Sequence, residues 1–140
     1  MLDTAVMVAA IRSDAGASRR VLLALLDRRC RTALISVPLV IEYEAVLTRP
    51  EHLHSARISA ADVRTIIDAV VAVAEPVRLA FLWRPTLHDP DDDMVLETAV
   101  NGRAEWIVTF NRRHFEAGAT RFGIRVCTPA EALTAWEDTR

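Results

Sequence analysis

The chain has 140 residues, a length that suits one domain (1–140) able to bury a sizeable core. Its apolar share of 51% and charged share of 26% are ordinary for a soluble globular protein; it has no bilayer-spanning apolar run and no secretory opening, so a cytoplasmic, membrane-free protein is expected. The net charge of −2 advertises no nucleic-acid partner, and because all 17 basic residues are Arg, a P-loop lysine, a Schiff-base lysine and the lysine of a receiver-like phospho-acceptor domain are excluded.

Leu2 to Ala10, apolar apart from Asp3 and Thr4, reads as a buried strand running into a loop or short helix. Only two residues precede Asp3, so either this strand is stubby or the true start lies upstream. Ser18 is a candidate cap for a helix to about Asp27, with Val21, Leu22, Leu25 and Leu26 as its apolar stripe. Ala33–Ser36 reads as a short strand. Pro38 suits the first turn of a helix to about Thr48, closed by Arg49-Pro50. Ser59 caps a longer helix, Ala60 to Ala74, and Val77–Trp83 reads as a strand. Asp89-Pro90 opens a helix that ends near Asn101-Gly102, with Gly as the cap. Trp106–Thr109 and Ile124–Cys127 read as strands, and Thr128-Pro129 starts a last helix. Strands alternating with helices predict an α/β domain with a mostly parallel sheet, whose ligands bind outside the carboxyl ends of the strands.

Three stretches place acids where they invite chemistry. Asp3 lies within or at the end of an apolar strand, where a carboxylate is costly unless it is paired or binds metal; a capping or turn role is the structural alternative. In the helix around Leu39-Val40-Ile41-Glu42-Tyr43-Glu44, the inward stripe is Leu39, Tyr43, Val46 and Leu47. Glu42 and Glu44 flank it on opposite borders, and periodicity does not choose between them. In Asp89-Pro90-Asp91-Asp92-Asp93, acids suit a first helical turn on dipole grounds alone. Helical phase separates them: Asp92, Val95, Leu96 and Ala99 fall at i, i+3, i+4 and i+7, which puts Asp92 on the buried stripe and Asp91 away from it. Thr109 ends the strand from Trp106, Asn111 follows it, and both project near Asp3 if the two strands are neighbours. A turn or helix-cap role for Asn111 is the alternative.

The four histidines, His52, His54, His88 and His114, lack metal-site spacing and read as surface or structural residues, with His52 and His54 on a loop. Cys30 and Cys127 lack metal-ligand spacing and read as reduced thiols. No Gly-x-Ser-x-Gly elbow and no Gly-x-Gly-x-x-Gly turn is present, which argues against a serine hydrolase and a dinucleotide site.

The order Leu2-Asp3-Thr4, Glu42-Tyr43, Asp89-Pro90-Asp91-Asp92 and Ile107-Val108-Thr109-Phe110-Asn111 resembles a PIN domain, and more narrowly the VapC-like toxins of bacterial toxin–antitoxin pairs. The likeness spans essentially the whole chain, including Thr128-Pro129. It implies a three-layer α/β/α sandwich with a mostly parallel central sheet, and Mg²⁺- or Mn²⁺-dependent cleavage of RNA. It maps the family acids onto Asp3, Glu42 and Asp92, choosing Glu42 over Glu44. Asn111 stands where many members carry a fourth acid, and Ala5 where an Asn is common. One negative charge is thereby lost, so one bound metal is expected rather than two. Asp3, Glu42, Asp92 and Asn111 are the expected catalytic residues, with the first three as metal ligands. Thr4, Thr109 and Arg112 are expected to orient water or phosphate, with Arg113 a further phosphate contact. A cognate antitoxin and a homodimer are family expectations. The competing readings are a degenerate PIN-like module that binds RNA or protein without cutting, and a metal-dependent phosphatase; the latter would need an acid at position 5, where Ala5 stands.

Overall fold

The structure is a computed structural model, described for residues 1–27, 31–80 and 90–138, and for the side chains of all of these except 90–93. The apolar opening is mainly helix. Leu2 makes a single parallel bridge to Val108, and α1 (Thr4–Arg12) starts directly after Asp3. Its buried residues, Val6, Met7, Ala10 and Ile11, recur at helical rather than alternating spacing. The second helix, α2 (Ala17–Leu26), is capped by Gly16 and not by Ser18, which is buried in its first turn. The stripe of Val21, Leu22 and Leu25 extends back through Ser18, which therefore faces the core.

Next come β1 (Leu34–Ile35) and α3 (Val37–Leu47). Ser36 caps α3 by accepting from the Leu39 amide, and its hydroxyl also shares a hydrogen bond of 2.7 Å with the Thr98 hydroxyl. Arg49-Pro50 closes α3 but also opens α4 (Pro50–Ala56), with Pro at the first position and Glu51 in the first turn. The expected loop around His52 and His54 is therefore helix. A capping box of Ser59 and Asp62 starts α5 (Ala60–Val73), and β2 (Glu75–Pro76) follows. The strand expected over Val77–Trp83 is not formed at 77–80, although the Val77 amide still donates to the Ile35 carbonyl at 2.7 Å, and 81–83 lie outside the described residues.

The third helical segment that bears on the site is α6 (Pro90–Asn101). Gly102 follows it, but the residue in left-handed conformation is Arg103, with φ of 53°. Gly102 is required for space: a Cβ there would sit 2.7 Å from Val77 Cγ2 and 2.9 Å from Leu34 Cδ1. The chain finishes with β3 (Trp106–Val108), α7 (Arg112–Thr120), β4 (Arg125–Cys127) and α8 (Pro129–Glu137). The sequence pattern does not suggest α7. Its buried Phe115, Gly118 and Ala119 lie at i, i+3 and i+4, a short stripe interrupted by small residues.

The architecture is α/β with parallel pairing. Among the described residues the strands form two parallel pairs, β1 with β2 and β3 with β4. The bridge from Leu2 lays the chain start beside β3, with the Asp3 amide donating to the Val108 carbonyl at 3.0 Å. Val6, Met7, Leu39, Tyr43, Leu96 and Ile107 belong to one continuous core that joins α1, α3, α6 and β3. Buried Cys127 has its thiol pKa pushed up to about 11 by burial, as expected of an unreactive core thiol.

Ser36 thus fixes the start of α3 and ties it to α6. Ser36→Ala is expected to cost about 1–2 kcal/mol, the sum of a lost cap and a lost buried hydrogen bond. A urea unfolding midpoint indistinguishable from that of the parent would contradict this.

Candidate active site

Two parallel chain segments end side by side, and the residues just beyond their ends build the site. After Leu2 comes Asp3; after Val108 comes Thr109. Asp3 is 6% exposed and Thr109 fully buried. The Thr109 hydroxyl donates to Asp3 Oδ2 at 2.7 Å, and its oxygen accepts from the Asn111 amide at 3.0 Å. Asp3 occupies the N-cap position of α1; its side chain makes no regular cap hydrogen bond, but the Thr4 and Ala5 amides at the helix start favour its charged form. Among the described residues it has no salt bridge. Burial raises its pKa above the ordinary carboxylate value of 3.8, opposed by the Thr109 hydrogen bond, by the neighbouring backbone of Thr4 and by the charge of His114.

Tyr43 supports this arrangement from below. Its buried hydroxyl donates to the Leu2 carbonyl, the group immediately before Asp3. Burial, and then the charge of Asp3, push its pKa well up, so the phenol stays a neutral donor. Tyr43 is legible in the sequence only as a core residue.

Asp3 opens on a cleft of about 340 Å³ between α1 and α3. From α1 come Thr4, Ala5 and Val8, from α3 Glu42 and Val46, and from the loop before α7 Asn111. Asn111 is the N-cap residue of α7, but its side chain forms no cap bond and so lines the cleft instead. Glu42 faces this cleft. Glu44 lies outside it, 3.5 Å from Arg64 on α5, in an exposed ion pair. Arg112 does not line the cleft: its guanidinium is 2.9 Å from Glu131 on α8 and 3.7 Å from Glu116. Asp92 belongs to the first turn of α6, but its side chain, like all of Asp89, lies outside the described residues.

Sequence reading missed three features. Arg49 and His52 also line the cleft, carried there by the start of α4. Glu97 on α6 is fully buried; it lies off the stripe of Asp92, Val95 and Leu96, so hydrophobic phase gave no signal for it. Pro50 at a first helical position, followed by Glu51, was the available signal for α4.

Asp3, Glu42 and Asn111 are hard oxygen donors on one small, open cleft, a set that suits a hard divalent cation better than a soft one. Among the described residues no group of three His, Cys, Asp or Glu side chains forms a metal cluster; Asp92 is not among the side chains so described.

Parallel strand ends in an α/β domain thus deliver a buried carboxylate to a cleft that also holds Glu42 and Asn111. The sequence matches the PIN domain family over residues 1–113, most of the chain, with β4 and α8 beyond the matched span. The chain belongs to the PIN domain family. Its members are generally nucleases and usually use a divalent metal. Comparison with curated proteins gave no match.

Because the folded pKa of Asp3 lies above its ordinary value, the folded state binds the proton more tightly. Stability from this group is therefore full below about pH 3.8 and is lost as pH rises through the raised folded pKa. Asp3→Asn removes that penalty and should raise Tm at pH 7, with the gain shrinking as pH falls toward 3.8. Thr109→Val, nearly isosteric, should do the opposite and cost about 2 kcal/mol at pH 7, since hydrogen bonds to charged groups are worth roughly 1.5–3 kcal/mol. Thermal melts of both variants between pH 3 and 7 check the pair; equal shifts at every pH would contradict it.

Proposed function

We propose that residues 1–140 form one PIN-like domain, a three-layer α/β/α sandwich, that hydrolyses RNA phosphodiester bonds with Mg²⁺ or Mn²⁺ and serves as the VapC-like toxin of a type II toxin–antitoxin pair. The observation that carries the reading is the buried Asp3 carboxylate, held by Thr109 and opening on the same cleft as Glu42 and Asn111. A carboxylate so desolvated and without a salt bridge is poised for a cation. Asp3 and Glu42 would hold the ion, with Asp92 as the third acid by helical phase. A bound Mg²⁺ or Mn²⁺ supplies Lewis-acid polarisation of the phosphodiester and lowers the pKa of water to furnish a nucleophile near neutral pH.

The residues of the chain do the rest. Thr109 holds Asp3 through Oδ2, and Asp3 lines the cleft. Asn111 offers an uncharged amide able to hold a water or a phosphate oxygen, and Thr4 can assist at the start of α1. Arg112 reaches substrate only by leaving Glu131. With Asn111 neutral, one ion per chain is the expected load. The wider assignment, a cytoplasmic protein that forms a homodimer and is silenced by a cognate antitoxin, rests on the family resemblance. One observation favours the second reading, a binding module without cleavage: the uncharged Asn111 in the cleft where many members carry an acid.

Purified protein should cleave single-stranded RNA with Mg²⁺ or Mn²⁺ and not with EDTA. Asp3→Asn and Glu42→Gln should each lose at least about 100-fold in rate. A second readout is independent of turnover. At 100 times its Kd a bound ion stabilises the fold by about 2.7 kcal/mol, so Mn²⁺ should raise the Tm of the parent by several degrees and leave that of Asp3→Asn unmoved. Cleavage undiminished by EDTA, or by either substitution, would sink the mechanism. RNA binding without cleavage, and with no Mn²⁺-dependent Tm shift, would establish the binding module.

A further inference from the structure

The cleft does not end at its acids. Its lining on α3 runs from Glu42 through Val46, one turn later, to Arg49 beyond the helix end, roughly 10 Å in all at 1.5 Å per residue. On α1 it runs in parallel from Asp3 through Ala5 to Val8. One end is therefore anionic, the middle is apolar (Ala5, Val8 and Val46), and the far end carries Arg49 and His52.

Arg49 is exposed and its side chain makes no hydrogen bond or ion pair among the described residues, although acids line the same cleft. Some arginines are engaged, Arg64 with Glu44, Arg31 with Glu105, and Arg112 with Glu131 and Glu116; what sets Arg49 apart is that it lines the cleft. His52 is half-buried, and its Nδ1 is enclosed without a partner among the described residues. The imidazole offers a ring N–H as a hydrogen-bond donor to a ligand in the cleft. A guanidinium fork and an imidazole N–H at one place form a recognition set for a phosphate. The cleft volume, about 340 Å³, lies at the low end for small-ligand sites and accommodates about one nucleotide rather than a duplex.

The geometry points to a phosphate subsite made by Arg49 and His52, which holds the phosphate next to the scissile one while the intervening sugar and base cross Ala5, Val8 and Val46. The subsite makes the enzyme one for single-stranded RNA, and its assignment rests on the carboxylate end being the cleavage site. Arg49 and His52 are positioning residues. They hold the strand, and no proton transfer is assigned to them.

The test is equilibrium binding of a fluorescent single-stranded ten-nucleotide RNA in EDTA, so that cleavage does not intervene, at several salt concentrations. Arg49→Ala should weaken binding about tenfold and lower the slope of log K against log salt by about 0.7, the value for one phosphate contact on a single strand. His52→Ala should weaken binding to a lesser extent, and Arg64→Ala, outside the cleft, should change neither quantity. A blunt-ended duplex of the same sequence should bind the parent more weakly and show no Arg49 dependence. Arg49 is exposed and unpaired among the described residues, so Arg49→Ala and Arg49→Gln should keep the parental Tm. Unchanged affinity and slope in both Arg49 variants would overturn the subsite, as would an equal loss on single strand and duplex. Absence of cleavage by the parent in Mg²⁺ and Mn²⁺ would instead strike the proposed function, and Arg49-dependent binding would still support the phosphate contact.

Discussion

A single hydroxyl decides what this cleft can be. The Thr109 side chain donates to Asp3 while accepting from the Asn111 amide, so one residue orients an acid at the end of one strand and the turn at the end of another. Desolvating an anion is unfavourable, and one hydrogen bond compensates only in part. The remainder shows as a carboxylate whose pKa is raised by burial, against the Thr109 hydrogen bond, the Thr4 and Ala5 amides and the charge of His114. Such a site is less stable than an apolar one would be, a common feature of functional positions.

The rest of the fold makes this arrangement rigid. The Leu2–Val108 bridge sets the register that puts Asp3 beside Thr109, and Tyr43 fastens the carbonyl before Asp3. Because Tyr43 and Glu42 are adjacent on α3, the residue that anchors one acid also fixes the height of the other. Ser36, at the start of the same helix, links α3 to Thr98 on α6, the helix that bears Asp92. The chain start beside β3, together with α1 and α3, thus frames one opening, with the α1–α3 groove leading away from it toward Arg49.

Much of this was legible in the sequence, for identifiable reasons. Helices with side-chain caps, such as those begun by Ser59 and Thr128, are local features and start where the sequence places them. The run after Asp3 is harder: a short apolar segment does not separate strand from helix, and the strand contribution is one bridge. Asp3 and Thr109 are readable as residues that follow apolar strands, but their contact depends on pairing between positions 106 apart, which no local pattern encodes. Glu42 and Glu44 cannot be separated by periodicity, because both border the stripe; the contact of Glu44 with Arg64 is a tertiary fact. Arg49 and His52 escape a reading of the sequence because Pro50 marks the end of one helix and, equally, the start of the next.

The central claim is that the Thr109-held carboxylate makes this cleft a divalent-cation site. Titration of the parent and of Asp3→Asn with Mn²⁺, followed by electron paramagnetic resonance of the free ion, tests it most directly. The account predicts one ion bound per parent chain and a loss of at least about 100-fold in affinity in Asp3→Asn. Equal Mn²⁺ affinity in the two proteins, or no bound Mn²⁺ in the parent, would contradict it.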